Sequence, residues 1–295
     1  MHKQKKAYFY VALSILLWST VASAFKLSLK EVDYLQLLFY ASLTSFFTLF
    51  IINACKGYFS ALIRQDCREY LKSAGLALIN PLAYYCLLFK AYSILPAQEA
   101  QPLNWTWPIV LAILSVFFLK QKLGSKGIFA VLISFSGVVI IATRGDFGSI
   151  RLNNLTGAFL AVSSSLLWAL FWLLNLLDKR EPLIKLTSCF FFGAIYSAIV
   201  VAIFSHLALD TITAYFGTVY VGLFEMGVTF ILWLKALSLA KNSASMAVCA
   251  YLTPFVSLIF IHFLLGEKIM LASLAGLILI IGGILLISYD SISKK

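Results

Sequence analysis

The chain is short of charge. Only 12% of its 295 residues are Asp, Glu, Lys or Arg, and 62% belong to the set AVILMFWYC. Soluble domains carry about 25% charged and about 45–50% apolar residues. A chain with a mean hydropathy of +0.95 has too little polar surface to face water on all sides. Histidine and cysteine are scarce too. His2, His206 and His262 are dispersed, and Cys55, Cys67, Cys86, Cys189 and Cys249 form no CxxC pair. These gaps argue against a metal site and against a disulfide framework. Neither GxxxxGK[ST] nor GxGxxG occurs, which argues against ATP-driven pumping within the chain, and no cofactor is expected. No Ser-His-Asp grouping stands out, so an enzyme is not expected. The net charge of +11 is spread over short loops rather than one basic face, which argues against nucleic acid.

What the chain has instead is a series of apolar runs, each long enough for a membrane helix of about 20 residues. The runs predict ten spans: 7–29, 34–54, 70–92, 97–119, 124–143, 155–177, 183–206, 212–234, 243–265 and 269–289. They are too long and too continuously apolar for the alternating strands of a β-barrel. Lys3, Lys5 and Lys6 precede the first run, and Val21-Ala22-Ser23-Ala24 resembles a signal cleavage site. The run continues through Phe25, so a first transmembrane helix is the better reading. The fold class predicted is an all-α polytopic membrane protein set in the lipid bilayer.

Lys and Arg fall unequally on the two sides of this topology. Seventeen lie on the side of Lys3 and Lys56, and six on the side of Lys26 and Arg144. Positive residues concentrate in the cytoplasm, so both chain ends are expected there, in the cytoplasmic (inner) membrane of the cell.

The halves resemble each other. Leu16-Leu17-Trp18 matches Leu166-Leu167-Trp168, Lys90-Ala91 matches Lys235-Ala236, and Pro108 matches Pro254, at separations of 150, 145 and 146 residues. Each proline is followed by an apolar stretch, to Lys120-Gln121-Lys122 in one half and to Gly266-Glu267-Lys268 in the other. Five spans per half is an odd number, so the second half enters the membrane in the opposite sense. The expected units are residues 1–148 and 149–295, two inverted-topology five-helix repeats. Secondary transporters use such repeats to enclose one site near the bilayer midplane.

These matched pieces, with Pro254-Phe255 running on to Leu265-Gly266-Glu267, resemble the drug/metabolite transporter (DMT) superfamily and its EamA-type carriers. In the first half, Leu119-Lys120-Gln121 departs from the Leu-Gly-Glu pattern. The resemblance covers Tyr8 to about Tyr289. It implies ten helices, cytoplasmic termini, a central cavity lined mainly by spans 1, 3, 4, 6, 8 and 9, and export or exchange of small metabolites. It does not choose the cargo.

Glu225 is the leading candidate residue, because a carboxylate at bilayer depth is costly and usually faces a polar interior or a pathway. It would meet a cationic substrate group, carry a coupled proton, or serve as a structural carboxylate bonded to a neighbouring helix. Asn80, before Pro81, sits roughly opposite it in the repeat comparison. Gln101, Asn104 and Trp105 stand in the most polar and aromatic stretch of any span, Glu99 to Pro108, which holds two prolines six residues apart. Gln101 and Asn104 share a helical face. Trp18 and Trp168 occupy matching mid-span positions, with Trp172 one turn on, and Tyr84 and Tyr251 offer hydroxyls. For each of these the alternative is ordinary helix packing. Lys26, Lys90 and Lys235, near span ends, are expected to snorkel to the interface. Glu267 and Lys268 are expected to pair within their turn. Gly127, Gly137, Gly276, Gly282 and Gly283 suit close packing of spans 5 and 10.

The functional expectation is a secondary carrier of a small amphipathic molecule, amino acids first, moved outward by alternating access with proton or exchange coupling. The alternative is uptake or exchange of a nucleotide-like or cofactor-like metabolite such as S-adenosylmethionine. An intramembrane enzyme or a lipid flippase is the more distant rival.

Overall fold

Fourteen helices, set out in chain order below, carry the architecture of the computed structural model, which describes residues 2–118, 125–146, 152–240, 246 and 249–293. They are α1 (His2–Ser28), α2 (Tyr34–Cys55), α3 (Phe59–Ile63), α4 (Cys67–Ala77), α5 (Tyr84–Ile94), α6 (Ala97–Asn104) and α7 (Trp107–Phe118). α8 (Ser125–Ala142), α9 (Leu152–Leu177), α10 (Pro182–Phe204), α11 (Ile212–Phe224), α12 (Val228–Leu239), α13 (Thr253–Leu265) and α14 (Leu271–Ser293) follow. Among the described residues there is no strand.

Among the described residues, eight helical segments, three of them interrupted partway, are long and apolar enough to cross a membrane. Two shorter apolar helices, Thr253–Leu265 and Leu271–Leu286, stand where the ninth and tenth spans are expected. Part of the expected ninth span (243–245 and 247–248) lies outside the described residues, as do Lys120, Lys122, Arg151, Lys241, Lys294 and Lys295 of the charge comparison and the Leu119-Lys120-Gln121 departure.

Helices pack where small residues let backbones approach. α8 and α14 meet through Gly137 and Gly276, where a β-carbon on Gly137 would stand 2.5 Å from the Gly276 carbonyl oxygen. α2 meets α11 where Gly222 faces the Ala41 carbonyl oxygen and Thr44. Lipid tails are as apolar as leucine, so such contacts, rather than hydrophobic exclusion, hold membrane helices together. Tyr85, Phe89, Phe171, Phe190 and Phe230 are fully buried in one core drawn from both halves of the chain.

At one end of the bundle the loops are tied by side chains. Asp33 caps α2, accepting from the Leu35 and Gln36 backbone at 2.7 and 3.1 Å, and Ser205 donates to its other oxygen. Gln36 donates to the His206 and Ala208 carbonyls. Glu267 does not pair with Lys268. Its carboxylate accepts from the Ala97 and Gln98 amides at the start of α6, at 2.9 and 3.2 Å, where a helix N-terminus favours negative charge. Gln98 closes the same junction by bonding the Lys268 carbonyl and the Met270 amide. Glu99 is buried and pairs with Arg144 at 2.7 Å.

The opposite end has its own clamp. Arg180 holds Asp178 through Nε at 3.1 and 3.0 Å, and reaches Gln65 and the Glu69 carbonyl through Nη1. Burial opposes ionisation of Asp178, but the Arg180 bonds outweigh it and hold the carboxyl below its usual range.

Candidate functional site

Three membrane-crossing segments are broken partway. Cys67–Ile94 breaks at Asn80, whose φ of −146° and ψ of 120° are extended rather than helical. Pro81 follows, and the residue before a proline is pushed out of the helical region. Ala97–Phe118 breaks at Trp105–Thr106, just before the Trp107-Pro108 start of α7. Ile212–Leu239 breaks at Glu225–Gly227. A fourth turn, Tyr251–Leu252, precedes α13.

Each break frees backbone groups that lipid cannot satisfy. At Glu225–Gly227 other side chains satisfy them. Trp18 Nε1 donates to the Glu225 carbonyl at 3.4 Å, Ser45 to the Met226 carbonyl at 3.0 Å, and Thr229 to the Phe224 carbonyl. The break thus turns the Glu225 side chain into the bundle, where Tyr85 donates its phenol to Oε1 at 3.1 Å.

Glu225 lines a cavity of about 310 Å³. The chain has six tryptophans, and all six line this cavity: Trp18, Trp105, Trp107, Trp168, Trp172 and Trp233. Trp18, Trp168, Trp172 and Trp233 join with Tyr84 and Phe230 into a wall. Tyr84 lies 4.7 Å from Trp168, Trp168 lies 5.9 Å from Phe230, and Trp18 lies 6.0 Å from Phe230 and 5.7 Å from Trp233, between ring centroids. Polar groups interrupt the wall at few places. Asn104 accepts from Tyr84 at 3.3 Å and donates to Ser164 at 2.9 Å, so it is already engaged. Gln101 Oε1 and Thr253 Oγ1 are buried and have no hydrogen-bond partner among the described residues.

Of the residues singled out in the sequence, Glu225, Gln101, Asn104, Trp105, Trp18, Trp168 and Tyr84 all lie on this cavity, brought there by α1, α5, α6, α9 and the two breaks. Asn80 and Tyr251 are not among its lining residues. Asn80 is buried at its own break, where Pro81 packs on α10 so closely that a β-carbon on Gly193 would stand 2.2 Å from Pro81 Cγ. Tyr251 is partly buried against the core at the turn before α13.

Sequence reasoning missed Tyr85, Trp107, Trp233 and Thr253. For the tryptophans a signal was present: they are few, and a rare amphipathic ring in a membrane interior needs a reason to be there. Lys90 is exposed, with its ammonium 4.9 Å from the Tyr34 ring centre, as snorkelling requires. Lys26 is not extended to the interface. Its ammonium caps α5 by donating to the Tyr92 and Leu95 carbonyls at 2.7 and 2.9 Å. Among the described residues no cluster of three His, Cys, Asp or Glu side chains could hold a metal ion.

The model of the EamA-like transporter family matches residues 5–143 and 155–289. The chain belongs to the EamA-like transporter family. It is therefore a polytopic membrane carrier of small molecules within the DMT superfamily, and not an enzyme. Among its relatives is an uncharacterized transporter of Archaeoglobus fulgidus, 28% identical over 289 residues, which cover 95% of this chain and 96% of that one. The aromatic amino acid exporter YddG of Ancylobacter novellus is 22% identical over 226 residues, 75% of each chain. One solved structure aligns with a TM-score of 0.68 at 18% identity over 96% of both chains, a likeness of fold alone.

Proposed function

We propose that this family member is a secondary carrier that moves small amphipathic metabolites, amino acids first among them, outward across the cytoplasmic membrane by alternating access. Ten helices in two inverted five-helix repeats, residues 1–148 and 149–295, surround the cargo path, with both chain ends in the cytoplasm. Two features support the repeat. The family model's matches fall in two segments on either side of residues 144–154. The helix breaks also recur in register. Asn80 and Glu225 are separated by the same 145 residues as Lys90 and Lys235, and Trp105 and Tyr251 by the same 146 as Pro108 and Pro254. Interrupted helices at corresponding positions of two halves are a pointer to a carrier's binding site.

The observation that carries the cargo reading is the Glu225 carboxylate inside a tryptophan-walled cavity. In this reading an α-amino group meets Glu225, Gln101 and Asn104 orient the polar end, and Trp18, Trp105, Trp168 and Tyr84 hold the side chain. Asn80 and Tyr251 set the breaks without touching cargo. The Ancylobacter novellus relative is an aromatic amino acid exporter, which agrees with this choice. Transport is driven by proton or solute exchange.

The test is counterflow in liposomes containing the purified protein. Saturable counterflow of amino acids, lost in a folded Glu225→Gln variant, is the expected result. Counterflow of S-adenosylmethionine instead would select the alternative cargo class. Full transport by Glu225→Gln would remove Glu225 from the mechanism.

A further inference from the structure

The cavity's charge is one-sided. Glu225 is the only formally charged side chain lining it among the described residues. Two basic groups that neighbour lining residues in the chain or through a bond are committed elsewhere: the Lys26 ammonium, next to Phe25, to the Tyr92 and Leu95 carbonyls, and Arg144 to Glu99, two residues before Gln101. The walls add a field of the same sign. Indole faces are the negative side of an aromatic quadrupole, and they attract cations and repel anions. A carboxylate entering with the cargo would therefore lose its water, meet ring faces and lie in one small chamber with Glu225. An uncompensated buried charge is among the costliest arrangements in a protein interior.

A protonated amine meets the opposite conditions. Glu225 has a second oxygen beyond the one that Tyr85 engages. Gln101 and Thr253, 95% and 99% buried, also line the cavity, and their side-chain oxygens have no partner among the described residues. An acceptor oxygen suits an ammonium that carries two or three N–H donors better than a quaternary one that carries none. The volume of about 310 Å³ lies at the small end of ligand pockets, which run from about 300 to 1,000 Å³. It has room for one or two flat rings.

From this we infer that the preferred cargo is an arylalkylamine, a flat aromatic body bearing a protonated primary or secondary amine, and that a carboxylate on the same molecule weakens binding. The inference rests on the reading of this cavity as the cargo site. It keeps the carrier of small amphipathic metabolites and ranks an aromatic amine ahead of the corresponding amino acid at the same site.

Three probes that share one ring separate the cases: tryptamine (cation), tryptophan (zwitterion) and indole-3-propionate (anion). The full-length protein is purified in detergent and its thermal midpoint is followed against each probe. Tritiated tryptamine and tryptophan are then measured for counterflow in liposomes. Tryptamine should raise the midpoint and exchange across the membrane, with an affinity about tenfold or more above that of tryptophan, equivalent to about 1.4 kcal/mol. Indole-3-propionate should do neither. In a Glu225→Gln protein that still folds, the preference for tryptamine over tryptophan should vanish. Tryptophan binding as tightly as tryptamine would overturn the inference and leave the amino-acid carrier standing. Failure of both to bind or exchange would overturn the inference, and the carrier reading would then stand or fall on the amino-acid counterflow described above. A preference that persists in folded Glu225→Gln would also overturn it. The wild-type comparison decides even if that variant does not fold.

Discussion

Tyr85 and Glu225 are 140 residues apart in the chain, and the tyrosine phenol donates to the glutamate across 3.1 Å. The bond joins the third expected span to the broken eighth. Tyr85 is fully buried, whereas Glu225 keeps accessible surface and lines the cavity. The carboxylate is thus braced from behind and open in front.

Tyr85→Phe keeps the ring and removes the hydroxyl. Loss of one buried hydrogen bond should cost about 1 kcal/mol of stability. Counterflow should slow and its pH profile should shift, because the carboxyl loses the donor that supports its charged form. An unchanged melting curve together with an unchanged pH profile would show that the bond contributes nothing.

Gly276 and Gly282 lie on one helix but should respond oppositely to a larger side chain. A β-carbon at Gly276 would stand 2.4 Å from Ile141 Cγ1 and 2.7 Å from the Gly137 carbonyl oxygen, and a backbone carbonyl cannot step aside. Gly276→Val should force α8 and α14 apart and cost about 1–3 kcal/mol. A β-carbon at Gly282 meets nothing within 4 Å. Gly282→Ala should be neutral or stabilise the helix by up to about 1 kcal/mol. Thermal unfolding in a mild detergent reads both, and equal effects would contradict the packing described.

Glu267→Ala should free the start of α6. The carboxylate holds the Ala97 and Gln98 amides, and loss of such a cap costs about 1 kcal/mol. Hydrogen exchange at those two amides should accelerate in the variant, while the amides of α2, capped by Asp33, should not change. Exchange rates that do not move would place the cap elsewhere.

The Asp178 clamp predicts a pH dependence at the opposite end. The Arg180 bonds hold the folded carboxyl below the ordinary aspartate value. Stability from the ionised form is therefore complete above that value and is lost as pH falls through the lower folded value. Asp178→Asn should be less stable than wild type at neutral pH, and the gap should close below about pH 4. Melting curves of the two proteins across that range test it, and a gap independent of pH would rule it out.

Much of the site was legible in the residues themselves. Glu225 is conspicuous because ionised groups are expensive at bilayer depth, and Gln101, Asn104 and Trp105 because their stretch is polar, aromatic and interrupted by two prolines. Periodicity could not reveal which faces point inward beyond a break. Tyr84 and Tyr85 are neighbours just past the irregular turn at Asn80 and Pro81, and both reach the site, one on the cavity wall and the other behind Glu225. Successive residues of α5 stand about 100° apart, so a single inward face suggests only one of the two. Asn80 shows the converse. Polar and mid-span, it looked like a cargo contact, yet the Pro81 packing against Gly193 turns its segment toward α10. The interplay of Glu267 with α6 was hidden for another reason, since it joins residues 170 apart.

Because every indole in the protein borders one chamber, its ultraviolet emission is in effect the spectrum of that chamber. No label or engineered reporter is required to watch it. A non-fluorescent solute entering the chamber should change the intensity or colour of the whole signal, while events at the loops leave it almost untouched.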